Sequence, residues 1–181
     1  MRFLQETGFV DQANRLTPDG HWASKLRLDQ PLLIAEAIRR GALNNVSPEI
    51  MAGGLAPFVW DRTLELEPMV DGVFDLTEIK EQFNKIIEQI ENIKELKNKR
   101  GFKSSPILFW PAAALFMWAR NVPWEQLLNY VPVNEGDMAS LIMRTADHLR
   151  QVTNLKETHP QLSAVAANAK ELILREPVYI D

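Results

Sequence analysis

Residues 135–152 read EGDMASLIMRTADHLRQV. Met138, Leu141, Ile142, Thr145, Leu149 and Val152 recur at the spacing of one helical face, so this stretch is a helix with one side in a core. Asp137, Ser140, Arg144, His148 and Gln151 form a second stripe that should point away from that core. Two readings of the stripe stand on pattern alone. One is a solvated face with local ion pairs, such as Asp147 with Arg150, each contributing a few tenths of a kcal/mol. The other is a donor-rich row that presents hydrogen bonds and a guanidinium to a polymer lying along the helix.

The segments on either side are helical too. Downstream, LSAVAANAKELILRE (162–176) is an amphipathic helix, and the tail PVYID reads as extended. Upstream, NVPWEQLLNY (121–130) is a short helix that Pro123 can begin, and 106–119 is a buried aromatic helix with Phe109, Trp110, Phe116 and Trp118. DLTEIKEQFNKIIEQIENIKELKNKRG (75–101) is the longest element. Asp75 and Glu78 have capping-box spacing, Ile79, Phe83, Ile86, Ile90 and Ile93 line one side, and Gly101 closes it. Its seam of about two heptads is shorter than the three or four that mark a coiled coil. Ser47-Pro48-Glu49 starts another helix, in which Gly53 and Gly54 permit close approach of a neighbour at a cost of about 1 kcal/mol each in propensity. Asp29 is the expected N-cap of a helix that runs through LLIAEAIRR to Gly41. Residues 1–28 differ. Short apolar pieces alternate with turn signals, Gly8 ends a helical turn, GFVD resembles a short strand, and TPDG (17–20) has the composition of a tight turn. The expected fold is all-α, about seven helices preceded by a short β-hairpin.

Composition narrows the function. The 181 residues are 46% hydrophobic and 24% charged, with a net charge of −4, which is an ordinary globular chain with one core. That charge argues against gripping nucleic acid by bulk positive potential, though not against a local basic track. There is no cysteine, hence no disulfide or thiolate metal site, and the reducing cytoplasm is the expected compartment. No apolar run reaches a membrane span, since Pro111 interrupts the nearest, 104–119. Phosphate loop, dinucleotide fingerprint, nucleophile elbow and metalloprotease motif are all missing, and His21, His148 and His159 are scattered. No active site or metal site is expected in this chain. Glu36 stands out on its apolar helix. Arg39 and Arg40 follow at three and four residues, so it is either a partner in local ion pairs or a carboxylate aimed at exocyclic amino groups of a base.

Two blocks then point to a family. The first is LTPDGHWASKLRLDQPLLIAEAIRRGALNNVSPEIMAGGLAPFVWD, with Thr17 to Gly20, Leu32, Leu33, Glu36, Gly41, Asn45, Ser47, Pro48 and Glu49 at the matching positions. The second is NEGDMASLIMRTADHLRQV. In this order, and with the C-terminal helix, they resemble over residues 15–181 the C-terminal helical domain of DExH-box helicases of the superkiller and exosome-associated type. The resemblance implies that residues 29–181 are that domain and that residues 1–28 are the wing of a preceding winged helix. It implies a domain that closes over the single strand leaving the motor, with base contacts from Glu36 and Arg144 and with Ser140, His148 and Gln151 alongside. It further implies RNA ahead of DNA as the polymer, and motor domains elsewhere in the same protein that hold ATP and Mg; no cofactor is expected in this chain. Many family members carry a basic residue where this chain has Ser140, so the expected hold on the strand's backbone is weaker. The alternative is a protein-interaction or structural module with the 75–101 helix as its docking surface.

Overall fold

In the computed structural model, residues 2–70, 72–102 and 105–179 are described. Among them are nine helices and no strand: α1 (Arg2–Glu6), α2 (Pro18–Ala23), α3 (Pro31–Arg39), α4 (Pro48–Val59), α5 (Thr77–Lys99), α6 (Phe109–Ala119), α7 (Trp124–Tyr130), α8 (Glu135–Thr153) and α9 (Pro160–Ile173). The all-α expectation holds, and seven helices follow residue 29.

The β-hairpin is not formed. Val10 and Leu16 make a single isolated antiparallel bridge, and TPDG opens α2 instead of closing a turn. The Thr17 hydroxyl accepts from the Gly20 N–H at 3.1 Å and Pro18 takes the first helical position. Thr-Pro-Asp-Gly serves a turn and a helix start equally well, because both need a capping oxygen and a fixed φ. Packing decides between them: a Cβ on Gly20 would lie 1.9 Å from the Phe9 carbonyl oxygen, so α2 sits directly on the backbone of residue 9. Phe9, Trp22 and Leu26 are buried in the same core as the later helices. The tail is also not extended through residue 179, since the N–H groups of Val178 and Tyr179 turn back to the Arg175 carbonyl.

Helix α4 is the centre. Every residue from Ile50 to Val59 is buried, and it packs against α5, α6, α8 and α9. Ser47 caps it by accepting from the Ile50 N–H at 3.2 Å. Gly53 provides the close approach expected of it, since a Cβ there would meet the Ala112 carbonyl at 2.9 Å and Ile79 Cδ1 at 2.6 Å. α6 is buried along most of its length, and α8 and α9 pack against each other. α5 lies across α3, α4 and α6 through Ile79, Ile86, Ile90 and Ile93. Between α4 and α5 the chain runs extended, held where the Leu64 carbonyl accepts from Trp110 Nε1 at 2.9 Å and where the Met69 N–H donates to the Tyr130 carbonyl at 2.7 Å.

Candidate nucleic-acid interface

Helix α8 buries Met138, Leu141, Ile142, Thr145, Leu149 and Val152, the face that its spacing selects. The opposite stripe is more mixed than the sequence implies. Ser140 is exposed, Gln151 is half-buried, and Arg144 has a side chain 37% exposed. His148 is buried, which corrects its expected outward position. The backbone of Asp29, in the stretch that leads into α3, meets its ring.

Asp29 was expected to cap α3. Gln30 is the N-cap instead, in a left-handed conformation at φ 49°, and it makes no side-chain capping bond. That turn carries Asp29 to α8. The Asp29 N–H donates to His148 Nε2 at 3.0 Å, and His148 Nδ1 lies 3.0 Å from the Arg144 carbonyl. An acceptor at Nε2 and a donor at Nδ1 define the neutral Nδ1–H tautomer. Burial holds the His148 pKa below its ordinary value, against the opposing pull of the Asp29 carboxylate 3.7 Å away. Arg144 closes the circuit: its Nη2 donates to Asp29 Oδ2 at 2.8 Å. Its Nη1 lies 3.8 Å from Asp61 Oδ2, on the strip that leaves α4. The next residue on that strip, Arg62, pairs with Asp137 at 2.9 Å, so residues 61–62 run beside α8 with signs complementary to it.

These groups border an open cleft of about 360 Å³ that includes Arg27, Asp29, Arg144, Asp147, Arg150 and Gln151. Arg150 pairs with Asp147 at 3.4 Å. Three arginines face two carboxylates here, so with neutral His148 the lining carries a single excess positive charge. Two roomier hollows, of about 470 and 630 Å³, lie elsewhere and contain none of the expected site residues.

Glu36 is in a different place. It is 2% exposed on α3, with one carboxylate oxygen on Arg39 Nη2 and the other 2.7 Å from Arg40 Nε. Arg39 in turn lies over the Phe9 ring and 3.8 Å from Asp19. The Glu36 and Arg144 clusters share no residue. The local ion pairs that the sequence offers for Glu36 are formed, and both of its oxygens are in use.

The sequence did not single out Asp29 as a partner of Arg144, nor Asp61 and Arg27 as neighbours of the cleft. No local signal marks them, because they come from segments about 80 to 120 residues away from α8 along the chain. Among the described residues no three histidine, aspartate or glutamate side chains are placed to hold a metal ion, and no helix is long and apolar enough to cross a membrane.

The DSHCT (NUC185) domain model matches residues 13–180. The match therefore runs across the boundary at residue 28 that the sequence suggests. The chain is also 26% identical over 165 residues to the DExH-box ATP-dependent RNA helicase DExH15, chloroplastic, of Arabidopsis thaliana; the aligned region is 89% of this chain and 14% of that protein. The chain thus spans about one seventh of the length of the curated relative it matches. By the match of the domain model over residues 13–180, the chain belongs to the DSHCT family, the helical domain found in the C-terminal region of superkiller-type DExH-box RNA helicases.

Proposed function

We propose that this chain is the C-terminal accessory domain of an ATP-dependent DExH-box RNA helicase and contacts the single strand leaving the motor through α8. In this reading the motor, with its ATP and Mg, is supplied by other domains of the parent protein. Arg144 is the principal base contact, with Ser140 and Gln151 exposed or half-exposed beside it. His148 acts from beneath by holding Asp29 against the helix. Glu36 meets a base only when Arg39 and Arg40 release it.

The observation that carries the proposal is the state of Arg144. Its guanidinium stands partly exposed at the edge of an open cleft and is held by two chain segments besides its own helix. An arginine fixed in this way loses little further freedom when a base stacks on it. The net charge of −4 fits a domain that adds contacts to a strand already held by a motor, because the domain attracts phosphates weakly by itself.

The test is the intact helicase carrying Arg144→Ala. Single-strand RNA affinity, read by fluorescence anisotropy, falls about tenfold, in line with the loss of one stacking contact, and strand displacement slows. Unchanged affinity and unchanged displacement would overturn the assignment and favour a protein-docking module.

A further inference from the structure

We infer that Asp29 and Asp61 are positioning residues that cancel the charge of Arg144, so that the strand is read through its bases and not held by its phosphates. The inference rests on the proposal that α8 faces the strand.

Three segments converge on this one guanidinium. Asp29 takes Nη2 and Asp61 lies by Nη1. A hydrogen bond to a guanidinium lies in its plane, so the Asp29 bond does not occupy its flat faces. Those faces are the part that stacks on a base. The edges are the part that would fork onto a phosphate: Asp29 takes one in a hydrogen bond, and the Asp61 charge stands 3.8 Å from the other. A phosphate approaching Arg144 meets one positive charge and two negative ones. Of the remaining lining, Arg150 already pairs with Asp147, which leaves Arg27 as the one charge in excess.

The arrangement is also held in register. Arg144 reaches Asp29 through its side chain, and Asp29 returns to the Arg144 carbonyl through its own N–H and the His148 ring. This closed loop fixes the Asp29 carboxylate relative to α8. Exposed ion pairs of this kind contribute little to folding stability. Asp61 is 62% exposed, so replacing it should leave the fold intact.

The experiment is the intact helicase with Asp29→Asn and Asp61→Asn together, bound to single-stranded RNA and to the same length of abasic RNA over a salt series. The wild type prefers the base-bearing strand. The double variant binds both strands more tightly at low salt, loses most of that preference, and shows a steeper salt dependence. One added phosphate contact corresponds to about a threefold greater loss of affinity between 50 and 200 mM salt. Asp61→Asn alone moves in the same direction and guards against a folding defect in the double variant, and Asp29→Glu restores the wild-type slope. If Arg144→Ala weakens binding but the salt slope and base preference stay at wild-type values in the aspartate variants, the charge-cancelling role is wrong while the Arg144 contact stands. If Arg144→Ala changes nothing, both fail.

Discussion

The His148 ring joins α8 to the entry of α3 through the Asp29 N–H bond to its Nε2, which needs the ring neutral. Its pKa is lowered below 6.5, chiefly by burial. The unfolded chain therefore takes up a proton near pH 6.5 that the folded chain resists. The stability from this group is complete above that pH and is lost as pH falls toward the depressed folded value. Between about pH 7.5 and 5.5 the loss has an upper limit of about 1.4 kcal/mol. His159 shifts in the same direction, so the measurement is the difference between wild type and His148→Gln in denaturant titrations at the two pH values. The wild type should lose more stability on acidification than the variant; equal losses would contradict the neutral ring. Arg175 makes a separate prediction. Its guanidinium lies 3.2 Å from the Trp118 ring centroid and donates to the Trp118 and Val122 carbonyls at 3.0 Å. Arg175→Ala should cost about 2 kcal/mol in thermal or denaturant unfolding, and Arg175→Lys should recover only part of it, lacking the planar fork. At this scale the sequence was legible in part. Helical spacing identified Arg144 as outward-facing but could not reveal what covers a given turn, and so it placed His148 in solvent and gave Asp29 to the wrong helix.

Helices whose apolar residues share a face were readable because burial of that face is what stabilises them. The long period in α5 and the face of α8 are where the spacing puts them, and Ser47 caps α4 as its position before Pro48 suggests. The first 28 residues were not readable in the same way. Their turn residues are compatible with either outcome, and the contact that chooses, Gly20 on the Phe9 backbone, is invisible in a linear string. The glycine pair in α4 gives a test at this scale. At Gly53 a methyl group meets a carbonyl oxygen of α6, which cannot move without shifting a helix. Gly53→Ala should therefore destabilise by about 1–3 kcal/mol despite its better helix propensity. At Gly54 the nearest atoms are the ends of the Ile86 and Leu43 side chains, at 3.1 and 3.3 Å. These can rotate, so Gly54→Ala should be close to neutral. Paired thermal melts decide it: equal effects at the two sites would contradict the packing argument.

Across the whole molecule, residues 1–28 share the core with the helices that follow. Phe9, Trp22 and Leu26 are buried in it, and Trp22 meets the His159 ring edge-on at 4.8 Å. Each large apolar side chain removed from such a position costs about 1.5–3 kcal/mol. A chain starting at residue 29 should then lose about 5 kcal/mol, a large part of the stability of an ordinary domain. Calorimetry of chains 1–181 and 29–181 tests this, and an unchanged melting temperature would show that the N-terminal helices are merely docked. The central place of α4 has a consequence in time. It is apolar on every side, and of its partners α5 follows soon after in the sequence whereas α9 begins about 100 residues later. At about 5–20 residues per second of synthesis, roughly 5–20 seconds separate its emergence from the ribosome and the arrival of its last neighbour. Over that interval the nascent chain carries a helix with no finished pocket to enter, and the core around α4 closes only when α9 has been made.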